Sequence, residues 1–327
     1  MFWKRRSAEQ LWEDGVEALE ACDWDEAEAC GRKLEKLHFS GSFELAARAW
    51  IGRGDPERAV AVLERGIAVA PEMSRLHELL GSACSAAGRL EDALRAFDAA
   101  MQCQDVDTDS VQLSAAGVLL THRQPKRALE RVERVTGPAS QPIATRLRLM
   151  GLLESGDFAR CEALGNEALL KVDLSPLTPL QRSQVHSMVA WALHHQDKDR
   201  DRALKLAWEA IGIEHSNDPA AELIRILNGR RSTSTREFEI MIRADWHGEH
   251  SPDSTSSARV VGFISTYVVL ADSPEEALEF IRPFEPPTAR ASVQIERSKD
   301  RGASPDEPKG VRSAPRGRTF IAVRKPS

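Results

Sequence analysis

The feature that most constrains this 327-residue chain is a small residue that returns, just after a turn signal, at nearly constant spacing. The series is Ala27, Ala59, Ala93, Ala128, Cys161 and Ala203, with successive steps of 32, 34, 35, 33 and 42 residues. A step of about 34 residues is the length of one helix–turn–helix unit repeated in tandem. A single helical hairpin cannot bury its own apolar face, so such units are stable only as a stack.

The third unit, SRLHELLGSACSAAGRLEDALRAFDAAM, shows the pattern most fully. Leu80-Gly81 lies in its first helix, Gly88 at its turn, and Ala93, Phe97 and Ala100 in its second helix. The second unit has Gly54-Asp55 at the turn, then Ala59, Leu63 and Gly66, and closes at Pro71. The first has Gly15, Asp23-Trp24-Asp25 and Ala27, and the fifth has Gly156-Asp157-Phe158. Antiparallel helices approach closely where small residues face each other, and Leu80 and Phe97 fill the spaces between. Glycine at the turn supplies the positive φ that ends a helix. The aspartate beside it accepts from free amides of the next helix start. Proline closes a helix because it cannot continue one.

These residues resemble the tetratricopeptide repeat family over residues 7–228. The resemblance implies a mainly α protein, a right-handed α-solenoid of about six helical hairpins. It further implies that the first helix of each hairpin lines a concave groove. Its exposed positions would include Arg48, Arg75, Glu78, Leu113, Arg146, Met150, Met188 and His195, a surface for a protein or peptide with acidic and apolar groups. The Lys and Asn clamp with which chaperone-tail binding arrays hold a terminal carboxylate is missing, because Glu44, Arg48, Glu78 and Ser82 occupy the matching positions. Departures from the repeat are Gln124-Pro125 at the fourth turn, Cys161 and Gly165 in the fifth unit, and the insertion DLSPLTPL at 173–180. A solitary capping helix is expected from Asp218, which completes an array over 1–229.

RRSTSTRE opens a polar linker at 230–236, and the periodicity then changes to two. EFEIMIRADW and RVVGFISTYVVLAD read as strands separated by a polar loop. Ser273, Pro274 and Glu276 form a helix-start signature for PEEALEFIRPF. ASVQIER and RTFIAVRK read as two further strands, with a flexible RGASPDEPKGVRSAPRG between them. The expectation for 237–327 is a ββαββ domain of four strands and one helix.

Charge is unevenly distributed. Residues 286–327 hold ten Lys or Arg against four Asp or Glu, and the remainder holds 34 against 46. The acidic body argues against nucleic acid as a partner, since phosphate contacts need a basic face. The basic tail, with Lys309, Arg312, Arg316 and Arg318, is expected to remain solvated. Five cysteines without CxxC spacing suggest a reduced, cytoplasmic protein. No apolar run is long enough to span a membrane.

Chemistry-bearing constellations are sparse. Asp245, His247, Glu249 and His250 bring metal-ligating types together, but at a strand end running into a Ser-rich loop, where a solvated hairpin is the expectation. His194 and His195 end a helix, where the dipole favours them. There is no nucleophile elbow, no phosphate loop and no Cys set beside a His. The expectation is therefore a non-enzymatic scaffold or adaptor without a cofactor. The alternative is a sensor or enzyme whose C-terminal α+β part binds a small ligand or metal. Oligomeric state is left open.

Overall fold

The computed structural model describes residues 7–39, 41–246 and 259–323. The chain divides into two compact units, Met1–Ser155 and Gly156–Ser327, and the division falls in the turn of the fifth hairpin.

The first unit holds α1 (Ala8–Glu20), α2 (Trp24–Glu35), α3 (Ser42–Gly52), α4 (Pro56–Val69), α5 (Ser74–Ala86), α6 (Leu90–Ala100), α7 (Thr108–Thr121), α8 (Pro125–Val132) and α9 (Gln141–Glu154). Each helix packs on the next, and the odd-numbered helices also touch one another from α1 to α9, forming one layer. Small residues sit at the crossings. A Cβ on Gly81 would come within 2.7 Å of the Phe97 ring, and one on Gly15 within 2.3 Å of Leu45. Ala27, Ala59, Ala93 and Ala128, the periodic alanines, are all fully buried.

The turns repeat as regularly as the crossings. Gly54 and Gly88 take left-handed φ, and Cys22 and Arg123 hold the same region at the first and fourth turns. Asp23 and Asp55 then accept from the backbone N–H three residues on and cap α2 and α4. The fourth turn, Gln124-Pro125, departs from the pattern and has no side-chain cap. There the proline at the first helical position supplies the preset φ instead.

The second unit begins with α10 (Phe158–Lys171), α11 (Pro179–His195), α12 (Arg200–Ile213) and α13 (Asp218–Asn228). Thr178 caps α11 with a capping box, so the inserted 173–180 segment ends as a helix start. Next come β1 (Arg236–Asp245), β2 (Arg259–Ala271), α14 (Pro274–Ile281), β3 (Gln294–Ala303), β4 (Gly310–Ser313) and β5 (Thr319–Val323). The sheet is antiparallel, in the order β3-β1-β2-β4. The other edge of β2 is shared, with β4 opposite residues 268–270 and β5 opposite residues 259–264.

The expected ββαββ order is therefore corrected to ββαβββ. The supposedly flexible 301–317 stretch contains the end of β3 and all of β4. Its charges are used locally, which hydropathy alone does not reveal. Lys309 is buried and donates to Asp272 and Glu276, each at 2.9 Å. Those carboxylates and their hydrogen bonds outweigh burial and hold its pKa above the ordinary lysine value. Arg312 bonds Glu237 at 2.7 Å. Of the tail residues expected to be solvated, Lys309, Arg312 and Arg318 are thus paired with carboxylates.

The 230–236 stretch is likewise tied down. The N–H groups of Ser304, Asp306 and Lys309 donate to Thr235, Ser232 and Arg230. One continuous core joins Leu206 and Ile211 of α12 and Leu223 and Ile224 of α13 to Phe238, Ile240, Tyr267 and Val269 of the sheet and Ile281 of α14. The change of composition at 230 consequently lies inside the second unit, where α13 packs against both α12 and β4.

Within this core Glu285 is almost fully buried. It accepts from the Tyr267 hydroxyl at 2.6 Å and from Arg318 Nε and Nη2 at 3.1 and 2.8 Å. Burial, then the Glu285 charge, pushes the Tyr267 phenol well above its usual range, so it remains a donor.

Two stability changes are expected. Phe97→Ala empties a fully buried ring site at the α5–α6 crossing and should lower the unfolding free energy by about 3–5 kcal/mol in urea denaturation. Arg318→Met leaves a buried carboxylate without its cation and should lower it by about 3–5 kcal/mol in the same measurement.

Candidate functional site

Four odd-numbered helices of the first unit carry six of the eight predicted partner-binding residues, Arg48, Arg75, Glu78, Leu113, Arg146 and Met150. Arg48 lies one turn after Glu44 on α3, and Arg75 one turn before Glu78 on α5. These four form a ladder. Glu44 lies 3.7 Å from Arg48 and 3.4 Å from Arg75, and Arg75 reaches Glu78 at 3.1 Å. Glu78 then accepts from Ser110 and Ser114 of α7 at 3.3 and 2.8 Å. Burial lowers the Arg75 pKa, but the charges of Glu44 and Glu78 outweigh it and raise the net value.

The ladder therefore neutralises itself, with two arginines against two glutamates. Its carboxylates are the more buried members, at 16 % and 13 % side-chain exposure against 42 % and 45 % for the arginines. The glutamates thus act as fixed braces, and the guanidiniums are the faces offered to solvent. Surface ion pairs of this kind contribute about 0–1 kcal/mol each, so their role is placement more than stability.

Beyond the ladder the layer opens into a pocket of about 460 Å³ between α7 and α9. Gly117, Leu120, Leu147 and Met150 line it together with Thr121, Arg123, Arg146 and Glu154. Nothing lies within 4 Å of where a Gly117 side chain would begin, so the absent side chain leaves this room open. Arg146 donates to Met150 Sδ at 3.2 Å, and burial lowers its pKa. Leu113 and Met150 are half-buried against the α7–α9 core.

No known family profile matches the chain, and no curated protein is similar to it in sequence. Its fold is similar to that of a chain in the crystal structure of the APC/C hetero-tetramer Cut9–Hcn1. That match has a TM-score of 0.50 at 11 % identity and covers 65 % of this chain and 41 % of the other, about two fifths of its length. YrrB, a TPR protein with an unusual peptide-binding site, matches at 16 % identity over 55 % of this chain and 88 % of its own, with a TM-score of 0.41. The TPR2AB domain of yeast Sti1, in its pHSP90 complex, matches at 15 % identity over 68 % and 98 %, with a TM-score of 0.31. The helical repeats have a tetratricopeptide-like fold.

In the second unit of this tetratricopeptide-like chain the two remaining groove candidates differ. Met188 is buried at 6 % exposure and so offers no side chain to a partner. Helix α11 is buried on several sides, at Ser183 and Ser187 as well as at Val185, Val189 and Leu193, so its sequence does not mark which face is exposed. His195 is exposed and stacks on Phe158, with ring centroids 4.4 Å apart and planes at 14°. The Trp191 ring lies 5.5 Å from that of His195, tilted by 30°. Burial, then the neighbouring His194, lowers the His195 pKa, so the ring is predominantly neutral at pH 7.

Sequence reasoning missed Ser110, Ser114, Gly117 and Thr121, which recur along α7 at helical spacing, and it missed the Phe158–Trp191 platform. The α7 stripe was obscured because apolar residues surround most of that helix.

His247, Glu249 and His250 lie outside the described residues. Asp245 is described, and its backbone N–H donates to Ser292 Oγ at 2.9 Å. Among the described residues no group of three His, Cys, Asp or Glu side chains is arranged for a metal. No described helix is long and apolar enough to cross a membrane.

The thiols differ sharply in environment. Cys30, Cys84 and Cys161 are buried, and burial pushes the Cys161 pKa up to about 12. Since the thiolate is the reactive form, this cysteine is inert in the folded chain. Alkylation by iodoacetamide followed by mass spectrometry should modify exposed Cys22 first and leave Cys161 unmodified until denaturant is added.

Proposed function

We propose that this protein is a non-catalytic adaptor that binds a protein or peptide along the inner layer of its first unit. The observation that carries the reading is the combination of a braced arginine ladder with an unfilled apolar pocket on the same layer of helices. An acidic group of the partner competes with Glu44 and Glu78 for the exposed sides of Arg48 and Arg75. An apolar side chain, further along the same partner, enters the space left by Gly117, between Leu120 and Met150. Arg123 and Arg146 outnumber Glu154 at that pocket and favour a second acidic group beside it. Leu113 lies between the two subsites, on α7. The fold likeness supports a binding scaffold, and the residues named supply the choice of partner.

In this reading the hairpins wind in the right-handed sense that the tetratricopeptide resemblance implies. His195 on its Phe158–Trp191 platform gives a separate contact from the second unit. The C-terminal sheet serves a second partner or self-association through its less buried face, where Met241, Ile264 and Val268 are half-exposed. No disulfide joins any of the five cysteines, which fits a reducing cytoplasmic setting.

Peptides selected from a display library on the intact protein provide the test. They should be enriched in an acidic residue followed by an apolar one. The triple variant Arg48→Glu, Arg75→Glu, Arg146→Glu should weaken a selected peptide by about tenfold or more, the scale of one lost charged contact of 1.5–3 kcal/mol. Gly117→Leu should do the same while leaving helicity by circular dichroism unchanged. Affinity unaltered by both variants would remove this surface from consideration.

A further inference from the structure

A cavity of about 630 Å³ lies in the second unit, between the C-terminal end of α12 and the segment that follows α14. On one side are Trp208, Ile211, Gly212 and His215, and on the other Phe284, Glu285, Arg290 and Arg318. Its size is in the range that encloses a small molecule, roughly 300–1,000 Å³. Neither the repeat pattern nor the fold likeness points to it.

Its charge is fixed by one residue. The buried Glu285 carboxylate binds Arg318 through Nε and Nη2, which holds that guanidinium in one plane and balances its charge. The Glu285 backbone carbonyl accepts from Arg290 Nε at 2.9 Å, and the Pro283 carbonyl accepts from Arg290 Nη2 at 2.9 Å. Both of those Arg290 bonds go to neutral acceptors. No carboxylate among the described residues forms an ion pair with it, so its positive charge is uncompensated at the cavity wall. Nη1 of each guanidinium is outside all these bonds. Burial and the Arg318 charge lower the His215 pKa, which leaves its ring a neutral polar group beside the two cations.

The remaining walls are flat and apolar. Trp208 stands edge-on to Phe284, with centroids 5.3 Å apart, which fixes the indole one helical turn before Gly212. Gly212 is the other distinctive part. It is the next-to-last residue of α12 and is exposed, and nothing approaches within 4 Å of the position its Cβ would take. Gly81 and Gly15 have a neighbour in that space, whereas beside Gly212 the space is open.

We propose that this cavity is a binding site for a small anionic ligand with a flat ring. A carboxylate or phosphate head is held by Arg290 and Arg318, and the ring lies against Trp208 in the room opened by Gly212. Two guanidiniums oriented by Glu285 supply parallel donors to such a head. The indole wall supplies apolar contact that a free inorganic anion does not use.

The test is calorimetric titration of the full-length protein with phenyl phosphate and with phenylacetate, which separates the two head groups. Inorganic phosphate and benzyl alcohol provide head-only and ring-only controls. At least one of the two ring acids should bind saturably and at least tenfold more tightly than either control. Gly212→Leu adds a side chain at the cavity lining without meeting a neighbour and replaces a poor helix former. It should abolish binding while the thermal midpoint stays the same or rises. Arg290→Gln should weaken binding at least tenfold, and Gly117→Leu, in the other unit, should not change it. Lack of saturable binding by both acids, binding no tighter than the controls, or binding retained in Gly212→Leu would each overturn the assignment.

Discussion

Two helices can cross closely only where one of them gives up its side chain, and the structure depends on where this chain does so. Gly81 beneath the Phe97 ring and Gly15 beneath Leu45 bring backbones together, and the large partner fills the volume so released. Each crossing sets the place of the next helix, so the inner row of side chains follows from a series of steric decisions made at buried sites. Packing of this density responds to a single methylene. Arg48, Arg75 and Arg146 are brought onto one layer by contacts that none of them makes.

The same lack of a side chain has a different consequence where nothing fills the space. Gly117, inside α7, and Gly212, at the end of α12, both have open volume ahead of them. One opens a pocket beside Arg146, the other a cavity beside Arg290. Apolar room next to a guanidinium is a pairing suited to a ligand with an acidic and an apolar part, and both units carry it.

Electrostatics divides between brace and contact. Glu44, Glu78 and Glu285 are the buried or nearly buried members of their pairs, and their arginines are the more exposed ones. A buried carboxylate with several donors is costly to disturb, so it fixes the direction of the guanidinium it holds. Lys309 reverses the arrangement, since the buried ammonium there ties β4 to Asp272 and Glu276 at the start of α14.

The repeat could be read from the chain because its causes are local. Left-handed turns at Gly54, Gly88 and Gly156, aspartate caps, and alanine at a fixed distance after the turn depend on residues within one hairpin. Strands β1 and β2 and the Ser273 cap were legible for the same reason, from period two and from a three-residue hydrogen bond. What sequence could not supply was anything that depends on distant partners. Gly117 and Gly81 are the same residue in similar helices, and only the tertiary structure distinguishes the empty position from the filled one. Strand β4, the pinned Lys309 and the burial of Met188 were missed because each depends on residues tens of positions away. Composition and spacing determined that this chain stacks helical hairpins. Which charges are spent inside, which face outward, and where room remains for another molecule were decided by the folded contacts alone, because burial and pairing are properties of neighbours in space.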